Sequence, residues 1–321
     1  MLRAYDYSED SADIMELKNE RLFNEEKMIA QEYVIKHSLK TESKHCPICN
    51  SGSSKFIFTR WDINYQFCND CKSIFVPADN ETLYDYLELD KMKKLRLSDE
   101  YQSEAELRRA AIWSDLVMWA EYRSYRYLGK NIDLDIIDYG NRYLGSINRF
   151  KESRMCGHYD LQKSIISMDT VHLECADVVL YLNQIQHESD PEYSLRCLYE
   201  KVKDDGILIL NTRLGSGFDI LTLKGGIDNI FPYEHILLPS KRGLEILLNR
   251  SGFELLEITT PGTRDMETVL KNKDRIEESN FFIKYLIDVA DHSILTNFQQ
   301  FLQKSGLSSF AQVIARKRKS L

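Results

Sequence analysis

Two Cys-x-x-Cys pairs, Cys46-Pro47-Ile48-Cys49 and Cys68-Asn69-Asp70-Cys71, stand eighteen residues apart and constrain this chain more than any other stretch. Each pair forms a tight knuckle that delivers two thiolates to one metal. The residues between them, a polar turn at 50–54 and alternating apolar positions through Phe67, read as strands that bring the knuckles together around a tetrahedral ion. This is the layout of a zinc ribbon, with Cys46, Cys49, Cys68 and Cys71 as the ligands of a structural Zn2+. Four thiolates leave no open coordination position for catalysis. The segment has too few apolar residues to fold alone, so the metal holds it together.

The full length of 321 residues allows one complete α/β domain with smaller attachments. No apolar run approaches the roughly 20 residues that a membrane span requires. The first ten residues lack the apolar core of a signal peptide, so the expectation is a cytoplasmic protein whose seven cysteines are reduced thiols or metal ligands. A net charge of −8 argues against nucleic-acid binding, including a ribbon that reads nucleic acid, because neutralising phosphates needs a basic face. The basic run Arg316-Lys317-Arg318-Lys319 reads as a solvated tail.

Four regions follow. Residues 1–43 carry Ile14, Leu17, Leu22, Phe23, Met28, Ile29 and Val34 at helical spacing among many charges, which predicts amphipathic helices with a face for a neighbour or a protein partner. Residues 44–78 form the zinc ribbon. Residues 79–130 form a helical bridge, with Leu107, Ala111, Trp113, Leu116, Val117, Trp119 and Tyr122 before the stop at Gly129; the tryptophans recur with the other apolar positions and read as core. Residues 131–321 read as an α/β domain of Rossmann-like type, a mostly parallel sheet with helices on both faces, carrying a helical insertion near 264–304.

Within that domain, Ile132–Gly145 is a β-branched run ending at Asp138 and Gly140, a parallel strand turning into a helix, the place where ligands meet doubly wound sheets. Asp160 lies twenty positions beyond Gly140, where such a site places its ribose acceptor, or is a surface aspartate after a strand. Ala176–Asn183 is a buried strand whose carboxyl end places Asn183 on the ligand side. Pro191 suits the first turn of a helix with Leu195, Leu198 and Val202 on one face. Ile207–Thr212, apolar on both faces, reads as central in a parallel sheet. Cys156, Cys175 and Cys197 read as buried small hydrophobes.

The segment Ala176–Thr212, with its pattern D-V-V-L, H-x-x-D-P and D-G-I-L-I-L, resembles the class I S-adenosylmethionine-dependent methyltransferases. Gly217-Phe218-Asp219, Glu234-His235, Gly252-Phe253 and residues 260–265 resemble a bacterial branch encoded with polysaccharide or small-molecule tailoring genes, where an N-terminal zinc ribbon also occurs. The resemblance implies S-adenosylmethionine as cofactor, lined by Asp138, Gly140, Asn141, Asp160 and Asn183. It also implies a small-molecule or nucleotide-sugar-like acceptor, with His187, Glu234 and His235 as the catalytic group, His235 being a base steered by Glu234. Each histidine can instead be a loop residue that bonds to the backbone.

The chain departs from the family pattern. Arg142 and Leu144 stand where the second and third glycines of the first motif belong. Only sixteen residues separate Asp160 from Asp177, too few for a full helix and strand with their loops. In deoxysugar C-methyltransferases of this branch a Tyr-x-Glu-His group is the expected base, and here Pro232 takes the tyrosine's place. The alternative is therefore a catalytically inactive methyltransferase-fold protein that serves a biosynthetic pathway as a binding or scaffold partner.

Overall fold

A computed structural model describes residues 20–36, 45–77, 90–129, 134–139 and 175–318. In chain order these give α1 (Glu20–Lys36), β1 (Ser54–Arg60), β2 (Ile63–Cys68), β3 (Ile74–Phe75), α2 (Asp90–Leu97) and α3 (Asp99–Leu128). Next come β4 (Ile136–Asp138), β5 (Ala176–Leu182), a short 3-10 helix at Ile185–His187, α4 (Pro191–Tyr199), β6 (Val202–Arg213) and α5 (Phe218–Leu223). The chain ends with β7 (Leu237–Leu238), α6 (Lys241–Arg250), β8 (Phe253–Thr259), α7 (Asp265–Lys271), α8 (Phe281–Val289), α9 (His292–Ser305) and β9 (Phe310–Lys317). No helix among the described residues is long and apolar enough to cross a membrane.

The larger sheet has the order β4-β5-β6-β9-β8. Strands β4, β5 and β6 run parallel, and β9 lies antiparallel between β6 and β8. This mixed sheet with flanking helices fits a Rossmann-like fold. Strand β6 is thus parallel to one neighbour only, because the last strand of the chain returns beside it in the opposite sense. Its pleat divides the interior, as a two-residue side-chain period must. Ile207 and Ile209 face Leu116 and Ala120 of α3, whereas Leu208 and Leu210 join the cluster that holds Leu195, Leu198, Leu244 and Leu247 of α4 and α6. Trp119 packs at the margin of the α3 side.

Local chemistry sets the helix limits. Ser98 accepts from the Tyr101 amide at the start of α3, and Gly129 ends that helix in a left-handed conformation. Asp190 caps α4 with Pro191 at its first position, and Val202, expected on this helix, instead begins β6. Arg316 and Lys317 extend β9 beyond the apolar run: Arg316 donates to the Tyr127 carbonyl at 3.1 Å and Lys317 to that of Val202 at 3.0 Å. They are therefore anchors of the sheet edge, not part of a solvated tail. Cys175 is exposed and Cys197 half-buried, unlike the buried hydrophobes expected, because Cys175 precedes β5 outside the sheet.

The second sheet has the order β1-β2-β3-β7, antiparallel throughout, and its fourth strand comes from the α/β domain. Arg60 reinforces the union by donating to the carbonyls of Ile230 at 3.2 Å, Gly225 at 3.1 Å and Asp228 at 3.2 Å. Gly225 is required there, since a Cβ would stand 2.1 Å from the Thr59 carbonyl oxygen. Helix α1 spends its apolar face within the chain: Phe23 meets Phe231 edge-on at 5.9 Å and Tyr33 meets Tyr233 at 5.0 Å.

Asp228 ties these pieces together through Arg275 at 2.6 Å and Lys27 at 3.1 Å. Burial alone would raise its carboxyl, but the hydrogen bonds from Arg275 and Lys27 outweigh burial and hold it below its ordinary value. A carboxylate so lowered stabilises the fold fully above the unfolded pKa of about 3.9 and loses that effect as pH falls through the folded value. Asp228→Asn should accordingly lower the thermal midpoint at pH 7. The gap between variant and parent should close on acidification below about pH 3.9, as followed by circular dichroism.

Candidate functional site

Two groups of residues stand out on this frame, a candidate metal centre of four cysteines and a polar cluster beyond the ends of β5 and β6. In the metal centre the four sulfurs of Cys46, Cys49, Cys68 and Cys71 lie within 4.8 Å of one another. Cys46 and Cys71 are 3.6 Å apart and Cys49 and Cys68 are 3.5 Å apart. A tetrahedral zinc with bonds of about 2.3 Å sets its sulfurs roughly 3.8 Å apart, so the cluster has the size the ion needs. The knuckles are alike in construction. Asn50 donates to the Cys46 carbonyl at 2.9 Å and Lys72 to that of Cys68 at 3.0 Å, and both Asn50 and Lys72 hold positive φ. The hydrogen bond from Cys46, helped by Ser73, pushes the Cys71 thiol down to about 5 against burial. Burial, with the neighbouring thiols, pushes Cys49 up to about 11.

The polar cluster follows the carboxyl ends of β5 and β6. Asn183 ends β5 in a left-handed turn, φ 52°, and its amide donates to Asn211 at the Oδ1 atom, 2.7 Å, and at the carbonyl, 3.1 Å. The 3-10 helix that follows is fixed on both sides. Gln186 accepts from Thr212 at 3.0 Å, and Glu188 accepts from Tyr181 and Ser194, each at 2.8 Å. Between these anchors His187 turns its Nδ1 to the carbonyl of Glu234. The His187 and His235 rings have centroids 5.7 Å apart. His187, Glu234 and His235 are therefore neighbours, although 47 positions separate the first two.

The electrostatics divide their parts. Phe231 donates its amide to His235 Nδ1 at 3.1 Å, so the neutral ring carries its proton on Nε2. His187 beside a carbonyl carries its proton on Nδ1, leaving Nε2 with a lone pair. The Glu234 carboxylate pairs with Arg96, which also binds Glu26 at 2.6 Å, and Tyr101 donates to Glu26 at 3.1 Å. The Phe231 amide thus holds the His235 ring, and Arg96 holds the Glu234 carboxylate.

Of the expected cofactor residues, Asp138 ends β4 and Asn183 ends β5 on the same sheet edge. Gly140, Asn141 and Asp160, with Arg142 and Leu144, lie outside the described residues. Two groups went unnoticed in the sequence. Asn211 and Arg213, on one face at the end of β6, carry buried donors, Nδ2 and Nε, without hydrogen-bond partners. Arg213 also pairs with Asp219 at 2.7 Å, whose carboxyl is pushed up by burial in spite of that charge. The polar run Asn211-Thr212-Arg213 closing an apolar strand was the available signal.

No protein-family model matches the chain, and no curated protein matches it. Solved structures with partial likeness include the [4+2]-cyclase SpnF, at 14% identity and TM-score 0.39 over 68% of this chain and 83% of that one. The plantazolicin methyltransferase BpumL, in complex with a triazolic desmethylPZN analog and SAH, matches at 11% identity and TM-score 0.42 over 74% and 95%. Coclaurine N-methyltransferase bound to N-methylheliamine and SAH matches at 14% identity and TM-score 0.36 over 62% and 72%.

The metal centre makes a direct prediction. Metal analysis of the purified protein should return one zinc per chain. Cys46→Ser and Cys68→Ser should each lose the metal and fall out of solution, whereas well-folded protein free of zinc would show that the four thiols need no ion.

Proposed function

We propose that the chain is an S-adenosylmethionine-dependent methyltransferase acting on a small-molecule or sugar-linked acceptor. The observation that supports it most is the pairing of His187 and His235 beside the carboxyl ends of β5 and β6. That edge is the crevice where open α/β sheets bind ligands. Asp138, Gly140, Asn141, Asp160 and Asn183 would hold the cofactor, which supplies an electrophilic methyl group on a sulfonium. The unpartnered Asn211 amide fits a ligand with acceptor oxygens, since a buried donor left unpaired costs about 1–3 kcal/mol.

In this reading the two histidines have different duties. His187 offers the Nε2 lone pair and takes the proton from the acceptor nucleophile. His235 presents Nε2–H and donates to an acceptor oxygen, which orients the nucleophile and favours its deprotonated form. Glu234 serves through its backbone carbonyl, which holds His187 in the basic tautomer, while its carboxylate is anchored by Arg96. The structural zinc takes no part in the chemistry.

A second reading has its own observations. Arg142 and Leu144 in place of glycines, with the short interval from Asp160 to Asp177, favour a protein that keeps the fold as a binding or scaffold partner without catalysis. Calorimetric titration with S-adenosylmethionine and S-adenosylhomocysteine separates the two. Micromolar binding, about −8 kcal/mol, is expected for the enzyme, and folded protein giving no heat at millimolar ligand selects the scaffold. Once an acceptor is found, His187→Ala should lower kcat by roughly 10²–10⁴ with cofactor affinity unchanged. A variant as active as the parent would remove the base from His187.

A further inference from the structure

The ribbon does more than cap the N-terminal end of the chain. Its third strand, Ile74–Phe75, pairs with Leu238 and Leu237, and Val76 donates to the Ile236 carbonyl at 2.8 Å. Ser73, wholly buried two residues beyond Cys71, accepts the Ser240 amide at 2.9 Å, and the Ser240 hydroxyl returns a hydrogen bond to the Cys71 carbonyl. Tyr65, wholly buried on β2, donates its hydroxyl to the His235 carbonyl at 3.0 Å. The segment from His235 to Ser240 is thus held at its two ends by the ribbon. On its other side Gly215 donates to the Pro239 carbonyl at 2.9 Å.

From this we infer that the cysteine ribbon is the positioning arm of the crevice, and that Tyr65 and Ser73 are its points of action on the segment carrying Glu234 and His235. The inference rests on the reading of His187 and His235 as the working pair. Its physical basis is that residues 231–236 belong to no helix or strand of their own, so their course is set by what they are tied to. Tyr65 fixes the carbonyl of His235 itself. The Ser73–Ser240 couple fixes the far end, and it starts two residues from a metal ligand. The Glu234 carbonyl, which meets His187 Nδ1, lies between Tyr65's anchor and the Phe231 turn. A shift of the ribbon therefore moves both histidines relative to each other. Catalytic pairs tolerate little of this, since misplacement by about 1 Å can cost 10²-fold in rate.

The test uses zinc-loaded, full-length protein and reads no activity. Tyr65→Phe keeps the buried ring and removes only the hydroxyl; Ser73→Ala removes the acceptor of the Ser240 amide. Each variant should retain one zinc per chain by metal analysis. In each, hydrogen exchange of peptides covering residues 231–240 should quicken at least tenfold while β5, β6 and β9 exchange as in the parent. The imidazole resonances of His187 and His235 should move in Tyr65→Phe, a change that a distant loss of stability does not cause. Unaltered exchange and unaltered ring resonances in both variants would overturn the inference, as would uniform acceleration through β5, β6 and β9. Failure of the protein to bind S-adenosylhomocysteine would sink the methyltransferase reading without touching these readouts.

Discussion

The pairing of Ile74 and Phe75 with Leu238 and Leu237 is the contact on which the rest of the structure depends. All four side chains are essentially inaccessible, and burying residues of this kind contributes about 1.5–3 kcal/mol each. Four backbone residues thereby turn two sheets into one hydrophobic body. The large cluster runs without a break from Ile48 and Tyr65 of the ribbon, through Leu237 and Leu238, to Leu208 and Leu210 of the central strand. A cysteine-bearing hairpin that could have hung from the surface is instead a wall of the interior.

Polar groups repeat the same theme. Arg60 is buried and lies between the ribbon and the loop at 225–230, and burial lowers its pKa while Asp228 works the other way. Its guanidinium is satisfied chiefly by three carbonyls, which spares the fold from desolvating a full ion pair. At the opposite end, Asp265 accepts from Ser309 at 2.7 Å, Ser308 at 2.6 Å and Gln299 at 2.9 Å, so the start of α7, helix α9 and the loop before β9 share one buried carboxylate. In both places a single charged side chain gathers polar groups from several parts of the chain.

Much of this was written in local pattern. The cysteine spacing, the apolar strand at Ile207–Thr212 and the Pro191 helix start each carry a period or a residue type with one physical meaning, and the cluster, the strand and the helix all form, although β6 begins at Val202 and is parallel on one side only. What escaped was non-local. Leu237-Leu238 is too short to show any period and follows a turn, so nothing marks it as a strand until its partner is known. Arg96 and Glu234 are 138 positions apart, and nothing in the sequence marks Arg96 as the partner of that carboxylate. Arg316 and Lys317 look like a tail because charge ends the apolar run, although the carbonyls of Tyr127 and Val202 await them. The proximity of His187 to His235 was legible only as two histidines placed after strands; the tautomers came from backbone partners that a sequence does not display.

The position of β7 also fixes an order of assembly. Ser73 and Ser240 are 167 residues apart, so a ribosome that has already released both cysteine knuckles must add about half of the chain before the last strand of their sheet exists. During that interval β3 has an open edge, the feature of a nascent chain most prone to pair with the wrong partner. A contact of such sequence separation forms late and slowly. The cysteine ribbon is therefore made early and is among the last parts to be finished, and any fragment that ends between Cys71 and Leu237 contains all four cysteines yet lacks the strand that completes their sheet.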